Sequence, residues 1–381
     1  MYCGMDLGTS GIKCGIFDPQ GRRLGMGRHP VRLHRGKEPG SAYAYPSEWA
    51  TAAREALAAA LSESGLAPSS IRAIALSGNG PTLVALGADG QPVCPALSWM
   101  DRRAKAQAER IAALSGRPVD PSFYLPKALR LLEGAAEGMA SKKAPALFMS
   151  GPEYLAHVLG ADPVSYLPDP YYESYIWDRP SADALGLEPS LFPPYVRPGE
   201  LIGRVSAAAA ERFGLAAGTP IAAAFPDFLA ALAGSGTMRP GMACDRSGSS
   251  EALNLCAAAP FGDRRLFSLP HAVAGLWNQS GGVSTSGKAM EWLGGIFSHG
   301  TGRGKAGGSG RKDGFRKGVF ADFRAARPGA GGALFLPYLS GERAPLWEPS
   351  LRASFVGLSL DVGRRDLARA VAEGIVYGIR Y

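Results

Sequence analysis

The 381 residues hold 41 Lys and Arg against 33 Asp and Glu, a formal net charge of +8, and 46% of them are hydrophobic. A chain of this length and apolar content buries large cores and reads as two domains of a soluble globular protein, and no run reaches the roughly 18 apolar residues of a membrane span. The five cysteines, at 3, 14, 94, 244 and 256, are odd in number and show no Cys-x-x-Cys spacing, which argues against a disulfide framework or a zinc site. With no basic n-region and no continuous apolar h-region at the start, the expectation is a cytoplasmic protein with reduced thiols and no membrane partner.

The first eighteen residues read as two short strands about a small-residue turn. Asp6 ends the first strand, Gly8, Thr9, Ser10 and Gly11 form the turn, and Lys13 follows. That pattern fits a phosphate clamp, with backbone N–H groups and Lys13 toward phosphate oxygens and Asp6 on a Mg²⁺-bound water. The two glycines are expected to allow positive φ values and close approach to a ligand. An ordinary β-hairpin accounts for the same residues equally well. Next come the strand-like 21–31, an alanine-rich helix from Ser47 to Ser64 with Ser47 as a plain N-cap, a strand from Ile71 to Ser77 and another from Thr82 to Leu86. This is α/β patterning.

Prolines and aromatic residues crowd Tyr166 to Pro198, which reads as irregular structure, either a substrate-side loop or packing. A strand from Pro220 to Phe225 leads through Asp227 into a small-residue helix, Phe228 to Ala233, with a domain boundary near Gly241: 1–240 and 241–381. A second small-residue turn, Gly248-Ser249-Ser250, lies between strand-like runs from Ala243 to Leu255 and repeats the logic of the first. A nucleoside triphosphate held between two lobes, each giving a hairpin to the phosphates, is the arrangement of the actin-like ATPase (ribonuclease H-like) fold. More than half of the excess charge lies between Ser298 and Gly318, where six basic residues stand against one acid in a glycine-rich stretch. That stretch reads as a solvated loop, and no recognised nucleic-acid-binding motif accompanies it, so no nucleic-acid partner is expected.

Several motifs, in order along nearly the whole chain, resemble the FGGY family of carbohydrate kinases. They are Gly4 to Ser10, Gly90 to Val93, Ser98-Trp99-Met100-Asp101-Arg102-Arg103, Pro126-Lys127, Gly151 to Leu155, Gly214 to Pro220 with Asp227, and Leu336 to Pro345 with Leu367 to Gly374. The resemblance implies transfer of the γ-phosphoryl group of ATP, with Mg²⁺, to a sugar or polyol hydroxyl, a ketopentose such as xylulose by likeness to xylulokinases. It implies Asp227 as general base, although without the resemblance an N-cap would be the plainer reading. It also implies phosphate contacts from Gly8, Thr9, Ser10, Lys13, Gly248, Ser249 and Ser250, and substrate contacts from Asn79, Trp99, Asp101, Arg102 and Asp227. For Trp99 to Arg103 a tryptophan beside a buried ion pair is an equal alternative. Glu342 and Arg343 read first as a structural ion pair, and the Lys288 segment lacks P-loop glycine spacing.

The chain departs from the pattern in places. Ser77-Gly78-Asn79-Gly80-Pro81-Thr82 stands where xylulokinase-like members carry a histidine, Phe225 where glycine is frequent, and Ser249 where threonine is frequent. The family also continues beyond the helix from Arg365 to Arg380 with segments that hold the adenosine, so the expectation is a second lobe that is incomplete. The alternative function is accordingly a non-catalytic sugar-binding remnant, and an actin-like ATPase acting on protein partners ranks below both. The resemblance leaves room for a homodimer.

Overall fold

The computed structural model describes residues 1–134, 144–248, 250–299, 318–348 and 350–380. Most of the basic glycine-rich stretch lies outside them. Among the described residues no helix is long and apolar enough to cross a membrane. The chain divides into two compact units, Met1–Ala230 and Ala231–Tyr381.

In the first unit, strands β1 (Tyr2–Gly8) and β2 (Gly11–Phe17) form the expected hairpin, with Asp6 paired to Lys13 and Gly8 to Gly11. β1 alternates, burying Cys3, Met5 and Leu7 on one face, as a half-buried strand must. Strand β3 (Arg23–Pro30) pairs antiparallel with β2. On the other side of β1, Ala73–Gly78 pairs parallel with it, and Pro220–Ala222 pairs parallel with Ala73–Gly78 in turn. Leu201–Arg204 closes the six-stranded sheet. The three parallel strands therefore end at one sheet edge, carrying Gly8, Gly78 and the residues after Ala222.

Helix α1 (Pro46–Ser64) covers the sheet through its small residues. Ala52, Ala53, Ala56 and Ala60 are buried, and β3 meets them with Gly25 and Gly27. A Cβ on Gly27 would overlap the Ala56 carbonyl, and one on Gly25 the Ala60 carbonyl, so these glycines set how closely the helix approaches. Ser47 is not the N-cap expected above. Pro46 occupies the first helical turn and Tyr45 is the cap, because proline has the helical φ built in and no N–H to satisfy.

A second sheet of this unit runs Tyr43–Ala44, Ala96–Leu97, Leu83–Leu86, Leu147–Ser150, with helix Tyr124–Leu132 among its neighbours. The stretch 166–198 is less irregular than its prolines imply: it holds the helix Arg179–Ala184 and two 3₁₀ turns around the fully buried Trp177.

The second unit contains the antiparallel sheet Ala243–Ser247, Glu251–Ala257, Trp277–Val283, Phe267–Pro270 and the helices Gly287–His299 and Arg364–Arg380. Gly374 lets the last helix lie on the Phe335 backbone, where a Cβ would overlap the carbonyl.

Candidate active site

The end of β1 is the anchor of the first unit. Asp6 pairs with Lys13 at 3.3 Å, both side chains more than a third exposed, so each stays available to a ligand. Thr9 and Ser10 form the turn between Gly8 and Gly11. The glycines serve here by packing, which corrects the expectation of positive φ: neither is among the residues with positive φ. A Cβ on Gly8 would stand 2.9 Å from the Gly11 carbonyl, and one on Gly11 2.9 Å from that of His29. A tight turn with glycines at its base exposes backbone rather than Cβ atoms.

Next to it, the segment after Ala73–Gly78 folds back onto β1. The backbone N–H of Asn79 and its Nδ2 both donate to the Leu7 carbonyl, at 2.9 and 2.7 Å. Thr82 Oγ1 donates to Asn79 Oδ1 at 2.5 Å and accepts from the Trp99 backbone N–H at 3.2 Å. The Trp99 indole N–H then donates to Thr9 Oγ1 at 2.8 Å. Asn79, Trp99 and the β1–β2 turn are thus joined in one hydrogen-bonded circuit. Asn79, Thr82, Ser98, Gly8 and Thr9 line a small recess there.

Asp101 belongs to a different environment. Its side chain is fully buried, its oxygens accept from the Ala42 backbone N–H at 3.0 Å, and Arg103 meets it at 2.8 Å with 2% of its own side chain exposed. A carboxylate so enclosed, with both oxygens bonded, matches the buried ion pair that is the alternative to a substrate contact. Arg102 points outward, more than half exposed, to Asp120 at 3.0 Å. Neither joins the circuit.

Asp227 opens the helix Asp227–Gly234 as its first residue, half-buried, at the same sheet edge. Ser77 Oγ donates to the Phe225 carbonyl at 2.8 Å and ties this approach to the neighbouring strand. Its charge is felt by Tyr124. Burial pushes that phenol far above its ordinary range, with Glu153 and Asp227 adding to the effect. Tyr124 also stands against Gly80, where a Cβ would be 3.0 Å from its hydroxyl, so Asp227 and the Asn79 segment share a neighbour. Sequence reasoning missed Tyr124. An aromatic next to Phe123, at the start of a mostly apolar helix, carries no signal of its own.

In the second unit the expected hairpin is present, Ala243–Ser247 against Glu251–Ala257. Ser249 lies outside the described residues. Gly248 donates to the Ser250 carbonyl at 2.9 Å and accepts from the Gly287 N–H at 3.0 Å. The turn therefore sits beside the N-terminus of helix Gly287–His299, which favours anions. Glu251 receives the Ser286 hydroxyl at 2.6 Å. Glu342 is not paired with the Arg343 guanidinium as expected. Its buried carboxylate takes the backbone N–H of Ser284, at 3.0 Å, and that of Arg343, at 2.9 Å, because backbone donors reach a buried acid without desolvating a second charge.

The N-terminal domain of the FGGY family of carbohydrate kinases matches residues 1–120 and the C-terminal domain matches 246–381. The chain is 27% identical over 395 residues to a xylulose kinase of Staphylococcus epidermidis, covering 99% of this chain and 75% of that one. It is 24% identical to a gluconokinase of Bacillus subtilis over 78% of this chain and 60% of that one. Among solved structures, a protein described as a xyloylose kinase from Brucella ovis superposes with a TM-score of 0.77 at 26% identity, covering 100% of this chain and 77% of that one. A glycerol kinase from Plasmodium falciparum, solved with ADP, shares the fold with a TM-score of 0.74 at 16% identity, over 100% of this chain and 77% of that one. The two matched domains span more than half of the chain in the family's order, and the chain belongs to the FGGY family of carbohydrate kinases, phosphotransferases of the actin-like ATPase fold.

Proposed function

We propose that the chain transfers the γ-phosphoryl group of ATP to a hydroxyl of a small sugar or polyol, a ketopentose such as xylulose, with Asp227 as general base. The observation that carries this reading is placement. Asp6 lies near the end of β1, Asn79 directly after Ala73–Gly78 and Asp227 beyond Pro220–Ala222, toward the carboxyl ends of three neighbouring parallel strands, the location where α/β sheets bind their ligands. Relatives named xylulose kinase support the substrate class.

Phosphoryl transfer depends on positioning and on neutralising charge. In this reading Gly8, Thr9, Ser10 and Lys13 take phosphate oxygens in the first unit, and Gly248, Ser249 and Ser250 do so in the second. Trp99, its indole N–H held by Thr9, offers its ring face to the sugar's C–H surface, and Asn79 and Asp227 address hydroxyls. Asp227 accepts the proton of the attacking hydroxyl, its ionised form favoured by the helix N-terminus. Asp101 holds the turn that carries Trp99, its N–H on the Ser98 carbonyl, and Arg102, more than half exposed beside it, addresses a further hydroxyl. Among the described residues no group of three or more His, Cys, Asp or Glu gathers as a metal cage. That donor set fits Mg²⁺ bound chiefly by phosphates and water, with a single partly exposed carboxylate, Asp6, beside it. When bound, the ion neutralises phosphate charge.

Asp227→Asn tests the reading. Sugar-dependent ATP turnover is expected to fall by roughly 10²-fold or more, with sugar affinity nearly unchanged. A variant that keeps most of its turnover removes Asp227 from the mechanism.

A further inference from the structure

Lys127 is a fully buried lysine of the first unit, with 0% of it exposed. It lies on the helix Tyr124–Leu132, within the sequence Tyr-Leu-Pro-Lys-Ala-Leu-Arg-Leu-Leu. Among the described residues no carboxylate bonds to it. Instead Nζ donates to three backbone carbonyls, Pro81 at 2.6 Å, Ser98 at 3.2 Å and Leu97 at 3.3 Å. Three N–H donors to three acceptors is the full capacity of an ammonium, and a neutral amine has one donor fewer. Burial lowers the amine to about 7, while the charges of Asp101 and then Asp120 oppose that fall. The Tyr124 ring lies 5.9 Å from Nζ.

These three carbonyls belong to the two segments that carry the sugar-side residues. Pro81 lies between Asn79 and Thr82, and Leu97 and Ser98 precede Trp99. The Ser98 carbonyl also accepts the Asp101 N–H at 2.9 Å, so it is the junction between the buried ion pair and the lysine. Burying a charge is costly, and a lysine that served packing alone would be matched by leucine or methionine at lower cost. We propose that Lys127 is a positioning residue, whose ammonium clamps the 79–82 and 97–99 backbones together and so sets Asn79 and Trp99 for the sugar. The inference rests on the sugar-kinase reading above for its kinetic consequence, but its geometric content is independent of turnover.

Lys127→Met keeps the stem and removes the donors. Lys127→Gln keeps two donors on a shorter stem. The expected kinetic result is a loss in kcat/KM for the sugar that approaches roughly 10²-fold for Met and is smaller for Gln, with KM for ATP within about twofold of the parent. Hydrogen exchange measured on the same proteins should show faster exchange confined to 79–84 and 96–103, with β1 and α1 unchanged. Sugar and ATP parameters falling together, or exchange rising throughout the unit, would mean a merely structural lysine and overturn the proposal. So would parent-like kinetics and exchange. Should Lys127→Met fail to fold, Lys127→Gln decides by the same two measurements. If the parent phosphorylates no sugar, the sugar-kinase reading falls, and the exchange pattern alone decides Lys127: local loosening sustains the clamp and unchanged exchange refutes it.

Discussion

Replacing Asp101 by alanine separates a ligand-binding carboxylate from a structural one. Asp101 is fully buried, and Arg103, with 2% of its side chain exposed, reaches its two oxygens through Nε at 3.1 and 3.0 Å and through a terminal nitrogen at 2.8 Å. Removing the acid strands that guanidinium where water hardly reaches it, and the Ala42 N–H loses its acceptor too. Breaking a buried pair from one side costs about 3–5 kcal/mol. Glu38, 3.6 Å from Arg103 and partly exposed, recovers a little, which places the expected cost near the lower end, about 3 kcal/mol. For a unit of this size that lowers the melting temperature by roughly 6–12 °C. Replacing both partners with apolar residues, Asp101→Leu with Arg103→Met, should cost much less, because no charge is left behind. Scanning calorimetry on parent, single and double variants reads all three. If Asp101→Ala melts with the parent while its sugar KM rises, Asp101 contacts substrate and the structural assignment is refuted.

Two further predictions concern the same unit. Glu153 caps its helix with Ser150, and its carboxylate accepts the Tyr166 N–H at 2.7 Å, yet burial lifts it to about 7. Between about 4.5 and about 7 the folded chain therefore holds a proton that the unfolded chain has lost, and stability declines as pH rises through that window, by at most about 3 kcal/mol. Glu153→Gln should flatten that decline between pH 5 and pH 8 in denaturant titrations; an identical slope in both proteins would contradict the assignment. Gly27→Ala should destabilise by about 1–3 kcal/mol or more, because the new methyl meets the α1 backbone, whereas Gly4→Ala, with its nearest neighbour at 4.0 Å, should be tolerated. Equal melting temperatures for the two would refute the close-approach argument.

The parts of the fold that were legible in the sequence are those fixed by neighbours in the chain. The β1–β2 hairpin, the helix over 47–64 and the second hairpin from 243 each carry a local period and a local breaker, and each forms. Residue type alone misled where two local rules compete. Ser47 is a good cap, but Pro46 before it starts the helix a residue earlier. Gly8 and Gly11 looked like positive-φ positions, and their need for glycine comes instead from carbonyls of Gly11 and His29, the latter a strand away.

The site was half legible for a related reason. Asp6, Asn79, Trp99 and Asp227 could be nominated by motif, but what separates Trp99 from Asp101, two residues on, is solvent: one indole N–H reaches Thr9 across the fold, while the carboxylate turns inward to Arg103. Lys127 is the limiting case. A lysine in an apolar helix looks like a residue at the polar margin, because lysine so rarely gives up water. Its three acceptors come from residues 29 to 46 positions away and are backbone carbonyls, which every residue has, so no side-chain pattern could announce them. The surest sign of such a residue is chemical imbalance once the fold is known: a buried charge with no opposite charge bonded to it must be held by dipoles. The segments that supply those dipoles are then the ones whose position the charge controls.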